Sequence, residues 1–210
     1  ICPMYSRQLL VESAARVMPR AESDVYDHIR LRKRETPGMV IVGAVMRLSE
    51  EKNPLLYLSI AEKLASSGAI FVLIGSGPLL EEVSQFQQDH PSPFVHHILS
   101  SSKLDLWYEL IDIICLTSNV EGSPNVLIEG ALHGCALVAT DVGGVSECFK
   151  HNSSALIAEI ESKEMLTSFV SHLISDSPLR DRLAARAAEV VASRHSGELL
   201  ATSLQHFFCH

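Results

Sequence analysis

The chain has 210 residues, 47% of them hydrophobic and 20% charged, with a formal net charge of −8. That composition supports one substantial packed core and excludes bulk disorder. So acidic a chain, with one small basic cluster at Arg30, Arg32, Lys33 and Arg34 and no interleaved aromatics, is not built to bind nucleic acid.

Five cysteines without a CxxC spacing give neither a disulfide framework nor a zinc site, and they fit a reducing, cytoplasmic compartment. Ten histidines are scattered without HExxH, so no metal is expected. The longest apolar runs, 39–46 and 69–74, fall well short of a membrane helix. No signal peptide is visible, and a start at Ile1 is expected of a piece of a longer protein.

Residues 1–38 read as a lead-in: a helix over 7–18 closed by Pro19, then a charged linker ending in Thr36-Pro37-Gly38. They are expected to end a preceding domain, with the main domain running from 39 to 210. In that domain the apolar runs predict strands at 39–46, 69–74, 94–98, 112–117, 136–140 and 154–158. Helices are expected from 54 to about 66 and at 78–88, 103–110 and 124–133, then at 163–174, 178–193 and 197–208. Pro54, Pro78 and Pro124 are placed as first helical residues, and Gly134 as a helix stop. The alternation predicts an α/β fold: a doubly wound, Rossmann-like parallel sheet with helices on both faces and the C-terminal helices packed outside. Ligands of such sheets bind beyond the carboxyl ends of the strands.

Four strand-end loops carry the candidate chemistry. After the first strand, Arg47 and Lys52 place two cations just before a helix start. An arginine fork and a mobile lysine suit the oxygens of an anion such as a diphosphate. Two charges about 4 Å apart interact by roughly 4 kcal/mol at an effective dielectric near 20, enough to hold an anion in an acidic chain. Glu50 and Glu51 are the alternative partners of these cations. The second loop, Gly75-Ser76-Gly77-Pro78, permits close backbone approach but lacks the spacing of a dinucleotide or P-loop motif.

The third loop reads Glu121-Gly122-Ser123-Pro124-Asn125-Val126-Leu127-Ile128-Glu129. With Ser123 as cap, the free amides of Asn125, Val126 and Leu127 make an anion site for a diphosphate opposite Arg47 and Lys52. Glu129, about one and a half turns into the helix, suits the vicinal hydroxyls of a ribose. Glu121, on the loop, suits hydroxyls of a sugar beyond the phosphates. The bland alternative is a dipole-favoured acid and a surface glutamate. In the fourth loop, Gly143 and Gly144 lead to Glu147, with a ligand-free turn as the alternative.

Together these pieces resemble the C-terminal domain of family 4 glycosyltransferases, the retaining enzymes of the GT-B fold. Gly43 with Arg47-Leu48 and Lys52, then Gly75-Ser-Gly77-Pro78, then Glu121 to Glu129, then Gly134, Val138-Ala-Thr140 and Gly143-Gly144 with Glu147 follow the family's order. The resemblance implies that Arg47 and Lys52 bind the diphosphate of a UDP- or GDP-linked sugar donor, helped by amides after Pro124. Glu129 then holds the ribose and Glu121 the donor sugar near its reacting carbon. It also implies a metal-independent reaction without cofactor, and a partner domain, absent from this chain, for a glycan or lipid-linked acceptor of the bacterial envelope. Association with the inner face of the membrane would come through that missing half. Two other readings share the fold: a nucleotide-sugar epimerase and a non-catalytic nucleotide-sugar-binding module. Three positions depart from the family: Asn53 stands where glycine often follows the lysine, Gly130-Ala-Leu-His-Gly134 replaces EAxAxG, and Ala136 replaces a proline.

Overall fold

Uninterrupted runs of Val, Ile, Leu and Phe are stable as strands where both faces are covered. The computed structural model, which describes residues 19–194, shows such a sheet. Its strands are β1 (Ile41–Val45), β2 (Ile70–Ile74), β3 (Val95–Ile98), β4 (Ile113–Leu116), β5 (Ala136–Thr140) and β6 (Leu156–Ala158). They lie in the order β3-β2-β1-β4-β5-β6, and every neighbouring pair is parallel. The helices are α1 (Arg20–Glu35), α2 (Pro54–Lys63), α3 (Leu80–Asp89), α4 (Leu104–Leu110), α5 (Asn125–Leu132), α6 (Val145–Cys148), α7 (Lys163–Ser175) and α8 (Ser177–Arg194).

The two-residue side-chain period of the strands divides the core in two. Ile41, Val72, Ile114 and Leu137 face one side, where Tyr26 and Ile29 of α1, Trp107 and Tyr108 of α4, and Leu127 of α5 pack. Val42, Phe71, Cys115 and Val138 face the other, against Tyr57 and Leu58 of α2, Val83 of α3 and Leu166 and Val170 of α7. α8 packs against β5, α5 and α7 and reaches both cores, through Ala187 and Val191 on the first and Leu183 and Ala184 on the second. The doubly wound expectation therefore holds. Chain direction across the sheet reverses between β1 and β4, and at such a reversal the strand-end loops diverge and leave a crevice.

Several local expectations are corrected. The charged stretch taken as a linker is helix α1 from Arg20 to Glu35. Its sparse Tyr26 and Ile29 find partners distant in sequence. The Tyr26 ring meets Trp107 edge-on at 5.2 Å, and Lys33 Nζ binds both Asp112 carboxylate oxygens at 2.8 Å. Pro78 and Pro124 are not first helical residues, since α3 starts at Leu80 and Pro124 is the cap position of α5. Pro54 does start α2. The fourth loop leads into the short helix α6, for which the sequence carried no expectation. The helices expected over 7–18 and 197–208 lie outside the described residues.

Candidate functional site

After β1 the chain turns through Arg47 and the fully buried Leu48 into α2. Asn53 ends this loop in the left-handed conformation, at φ 49°, and its side chain accepts a hydrogen bond from the Leu56 amide at 3.2 Å. Asparagine is among the few side chains that tolerate this backbone, which accounts for its place where the resembling family has glycine. Arg47 is exposed, and among the described residues its guanidinium has no ion-pair partner.

The loop after β4 is bound directly to this one. The buried Thr117 hydroxyl donates to the carbonyls of Lys52 and Asn53 at 3.2 and 3.1 Å. The amides of Asn119 and Val120 donate to the Glu51 carbonyl at 2.7 and 3.3 Å. Lys52 Nζ then meets Glu121 Oε2 at 2.8 Å. Glu50 and Glu51 are therefore not the partners of Lys52; the acid from the neighbouring strand's loop is. The other Glu121 oxygen accepts from Ser118 Oγ at 2.7 Å, and the Thr140 hydroxyl fixes the Ser118 carbonyl at 2.6 Å. With only 8% of its side chain exposed, Glu121 has both of its carboxylate oxygens satisfied by these two donors.

The fourth loop supports Glu121 from behind. Gly143 has φ +51°, and a Cβ there would lie 1.9 Å from the Glu121 carbonyl oxygen. No larger residue fits without moving the acid. Gly144 faces the Gly122 carbonyl, 3.4 Å from where a Cβ would sit.

α5 begins next to this cluster. The Ser123 hydroxyl donates to Asn125 Oδ1 at 2.9 Å instead of capping the helix. The amides of Asn125 and Leu127 are already engaged by the Ser123 and Pro124 carbonyls, at 2.9 Å each. Of the three amides expected to be free, Val126 is the one left without an acceptor among the described residues, so the helix terminus offers a narrower anion site than its sequence suggests. Glu129, one turn on, accepts from the Tyr108 hydroxyl of α4 at 2.8 Å through Oε2. The His133 ring stacks on Tyr108 at 5.3 Å and 23°, and His133 Nδ1 donates to the Glu129 carbonyl at 2.9 Å. Burial first, and then the Glu129 carboxylate, hold the Tyr108 phenol well above its ordinary range, so it stays a donor.

The remaining glycines serve the scaffold. Gly43 lies inside β1, where a Cβ would strike the Ile111 side chain at 2.3 Å. Cβ atoms at Gly75 and Gly77 would fall 1.7 Å from the Met46 oxygen and 2.5 Å from that of Leu48. These two glycines let the β2–α3 turn lie against the Arg47 loop, tied by the Leu48 amide to the Ser76 carbonyl at 3.0 Å. His97 Nε2 donates to the Gly75 carbonyl at 2.8 Å and holds the turn from β3.

The structure thus brings Lys52, Glu121 and Gly143 into direct contact and sets the start of α5 beside them. Arg47 stands apart on the rim, and Gly43, Gly75 and Gly77 support the loops from within. Tyr108, Thr117, Ser118 and His133 belong to the site and were not anticipated. Ser118, three residues before Glu121, carries a local signal of hydrogen-bond reach; Tyr108 carries none.

Comparison with known proteins agrees with this fold. Residues 27–190 match the family described as "Glycosyl transferases group 1". The chain is 30% identical over 123 residues to the Vi polysaccharide biosynthesis protein VipC/TviE of Salmonella typhi, covering 56% of this chain and 21% of that protein. It is 24% identical over 201 residues to a GDP-mannose-dependent phosphatidylinositol monomannoside mannosyltransferase of Mycobacterium tuberculosis, covering 90% of this chain and 51% of the relative. The chain thus spans only part of the relatives it matches. Among solved structures, the C-terminal domain of the group 1 protein LpcC from Francisella tularensis superposes with a TM-score of 0.71 at 21% identity, covering 80% of this chain and 91% of that domain. HepE of Anabaena, in complex with UDP-glucose, superposes at 0.71 and 19% identity, over 85% of this chain and 50% of HepE. With the family match spanning most of its length, and the parallel sheet and ordered strand-end loops in place, the chain belongs to the group 1 glycosyl transferases.

Proposed function

We propose that this chain is the donor-binding domain of a retaining glycosyltransferase. It would hold a nucleoside diphosphate sugar whose sugar passes to a glycan or lipid-linked acceptor in bacterial envelope polysaccharide synthesis. The acceptor would be bound by another domain, at the cytoplasmic face of the membrane. The observation that carries this reading is the Lys52–Glu121 contact at the β1/β4 reversal, beside the start of α5. A cation and a buried acid held 2.8 Å apart suit a ligand with a diphosphate at one end and hydroxyls at the other. HepE, solved with UDP-glucose, and the GDP-mannose-dependent relative lend support.

In this reading Arg47 and Lys52 take the diphosphate, the Val126 amide adds a donor, Glu129 accepts from the ribose hydroxyls and Glu121 from the sugar. When the bond from the sugar C1 to the diphosphate oxygen breaks, the diphosphate leaves with the electron pair, and an acceptor hydroxyl oxygen forms the new bond to C1 and gives up its proton to the departing diphosphate. The two cations stabilise the charge that develops there. Neutralising the leaving group falls to these side chains, so we expect transfer without an added metal or cofactor.

Arg47 is the cleaner probe, because its removal strands no buried partner. Arg47→Ala is expected to weaken binding of the nucleoside diphosphate by about tenfold to a hundredfold, the worth of a charge-assisted hydrogen bond, and to leave the bare nucleoside unchanged. Isothermal calorimetry with both ligands checks this. Equal losses for the two would remove the diphosphate role.

A further inference from the structure

Each acid of the site has one oxygen tied to a buried hydroxyl: Glu121 to Ser118, and Glu129 to Tyr108. Ser118 neighbours its acid in the chain. Tyr108 comes from α4, which supplies no other group to the site, and it is fully buried. Its ring is pinned by the stacked His133, and its carbonyl accepts from Cys135 Sγ at 3.5 Å. A buried tyrosine needs a partner for its hydroxyl, and many core carbonyls would serve. Here the hydroxyl goes to the half-buried Glu129, whose Oε1 has no protein donor among the described residues.

We propose that Tyr108 is a positioning residue for nucleotide recognition: its hydroxyl holds Glu129 in one rotamer, with Oε2 engaged and Oε1 presented to the vicinal diol of the ribose. The role rests on the ribose reading of Glu129. A glutamate that is free before binding loses rotamer freedom when a ligand orders it. One already fixed by a protein donor avoids that loss, which is how preorganisation raises affinity. Tyr108 suits the task because its phenol donates to the carboxylate and is itself fully buried. His133 completes the frame by donating to the Glu129 carbonyl and stacking on the ring that holds its carboxylate.

The test is titration of the full chain and its variants with a nucleoside diphosphate, taken as the tightest of UDP, GDP and ADP, and with its 2′,3′-dideoxy counterpart. The unaltered chain is expected to prefer the diol form. Tyr108→Phe is expected to reduce that preference about tenfold while binding of the dideoxy form stays unchanged. On a Glu129→Gln background, Tyr108→Phe should cause no further loss, because the two residues act as one unit. Glu129→Asp leaves Tyr108 in the core and draws the acid back from its hydroxyl, so it should show the same reduced preference even if Tyr108→Phe folds poorly. Equal weakening of both ligands by Tyr108→Phe, or full preference retained in either single variant, overturns the positioning role and leaves the ribose reading standing. Absence of any diol preference in the unaltered chain overturns the ribose reading, and the Tyr108 role with it.

Discussion

Asn53 shows how much one residue settles. It adopts φ 49°, caps α2 through Leu56, and offers its carbonyl to Thr117 of the neighbouring loop. Asn53→Gly keeps the backbone and loses the cap, at a cost of a few tenths of a kcal/mol. Asn53→Ala loses the cap and meets the left-handed penalty, for a total of about 2 kcal/mol, read by urea unfolding. Glu121 makes a second case at this scale. With Lys52→Met its carboxylate keeps Ser118 but loses its cation, and stability should fall by about 1–3 kcal/mol; adding Glu121→Gln should recover most of it. If the double variant is no more stable than the single, the pairing is not what holds the acid. Arg47, Lys52 and Glu121 stand out in the sequence as charged residues in strand-end loops against apolar runs, and Glu129 as an acid early in the helix that follows. Their partners do not: the Tyr108–Glu129 bond spans 21 positions and exists only once α4 and α5 pack on the same face of the sheet.

Among elements, the strands were the most legible, because burial on both faces writes them as continuous apolar runs. Helix starts were less so. Proline was read as the first helical residue at three sites, and only Pro54 fills that position, with Asn53 capping it. Ser123 spends its hydroxyl on Asn125, so the start of α5 could not be deduced from a serine–proline pair alone. Helix α1 was missed because its apolar residues are few and its docking is half ionic. Lys33 is held by Asp112 and by the Leu110 carbonyl at 2.7 Å, while Asp112 also accepts from the Ile41 amide at 2.8 Å. Lys33→Ala is therefore expected to lower stability by about 1–2 kcal/mol and to loosen α1 first, as amide hydrogen exchange would show. Exchange in α1 unchanged by the substitution would show that Tyr26 and Ile29 alone dock the helix.

At the scale of the whole molecule, two cores flank one sheet, and each encloses a thiol. Burial pushes Cys115 and Cys135 up to about 12 from the ordinary 9.0. Below pH 9 both folded and unfolded chains keep these protons. Between pH 9 and 12 the unfolded chain releases them and the folded chain does not, so the unfolded state gains and stability falls as pH rises. Each thiol contributes a slope of up to about 1.4 kcal/mol per pH unit, and Cys115→Ala should remove its share in urea titrations at pH 8 and pH 10. The strand order places the loops after β1 and β4 side by side at the reversal, and this brings residues from two halves of the sequence to one place. Among the described residues no helix is long and apolar enough to cross a membrane. Whether this crevice receives a nucleoside diphosphate is decided by calorimetric titration of the chain with UDP, GDP and ADP. At least one of them should bind saturably, and Arg47→Ala should weaken that binding. No binding of any of the three at millimolar concentration would rule the site out.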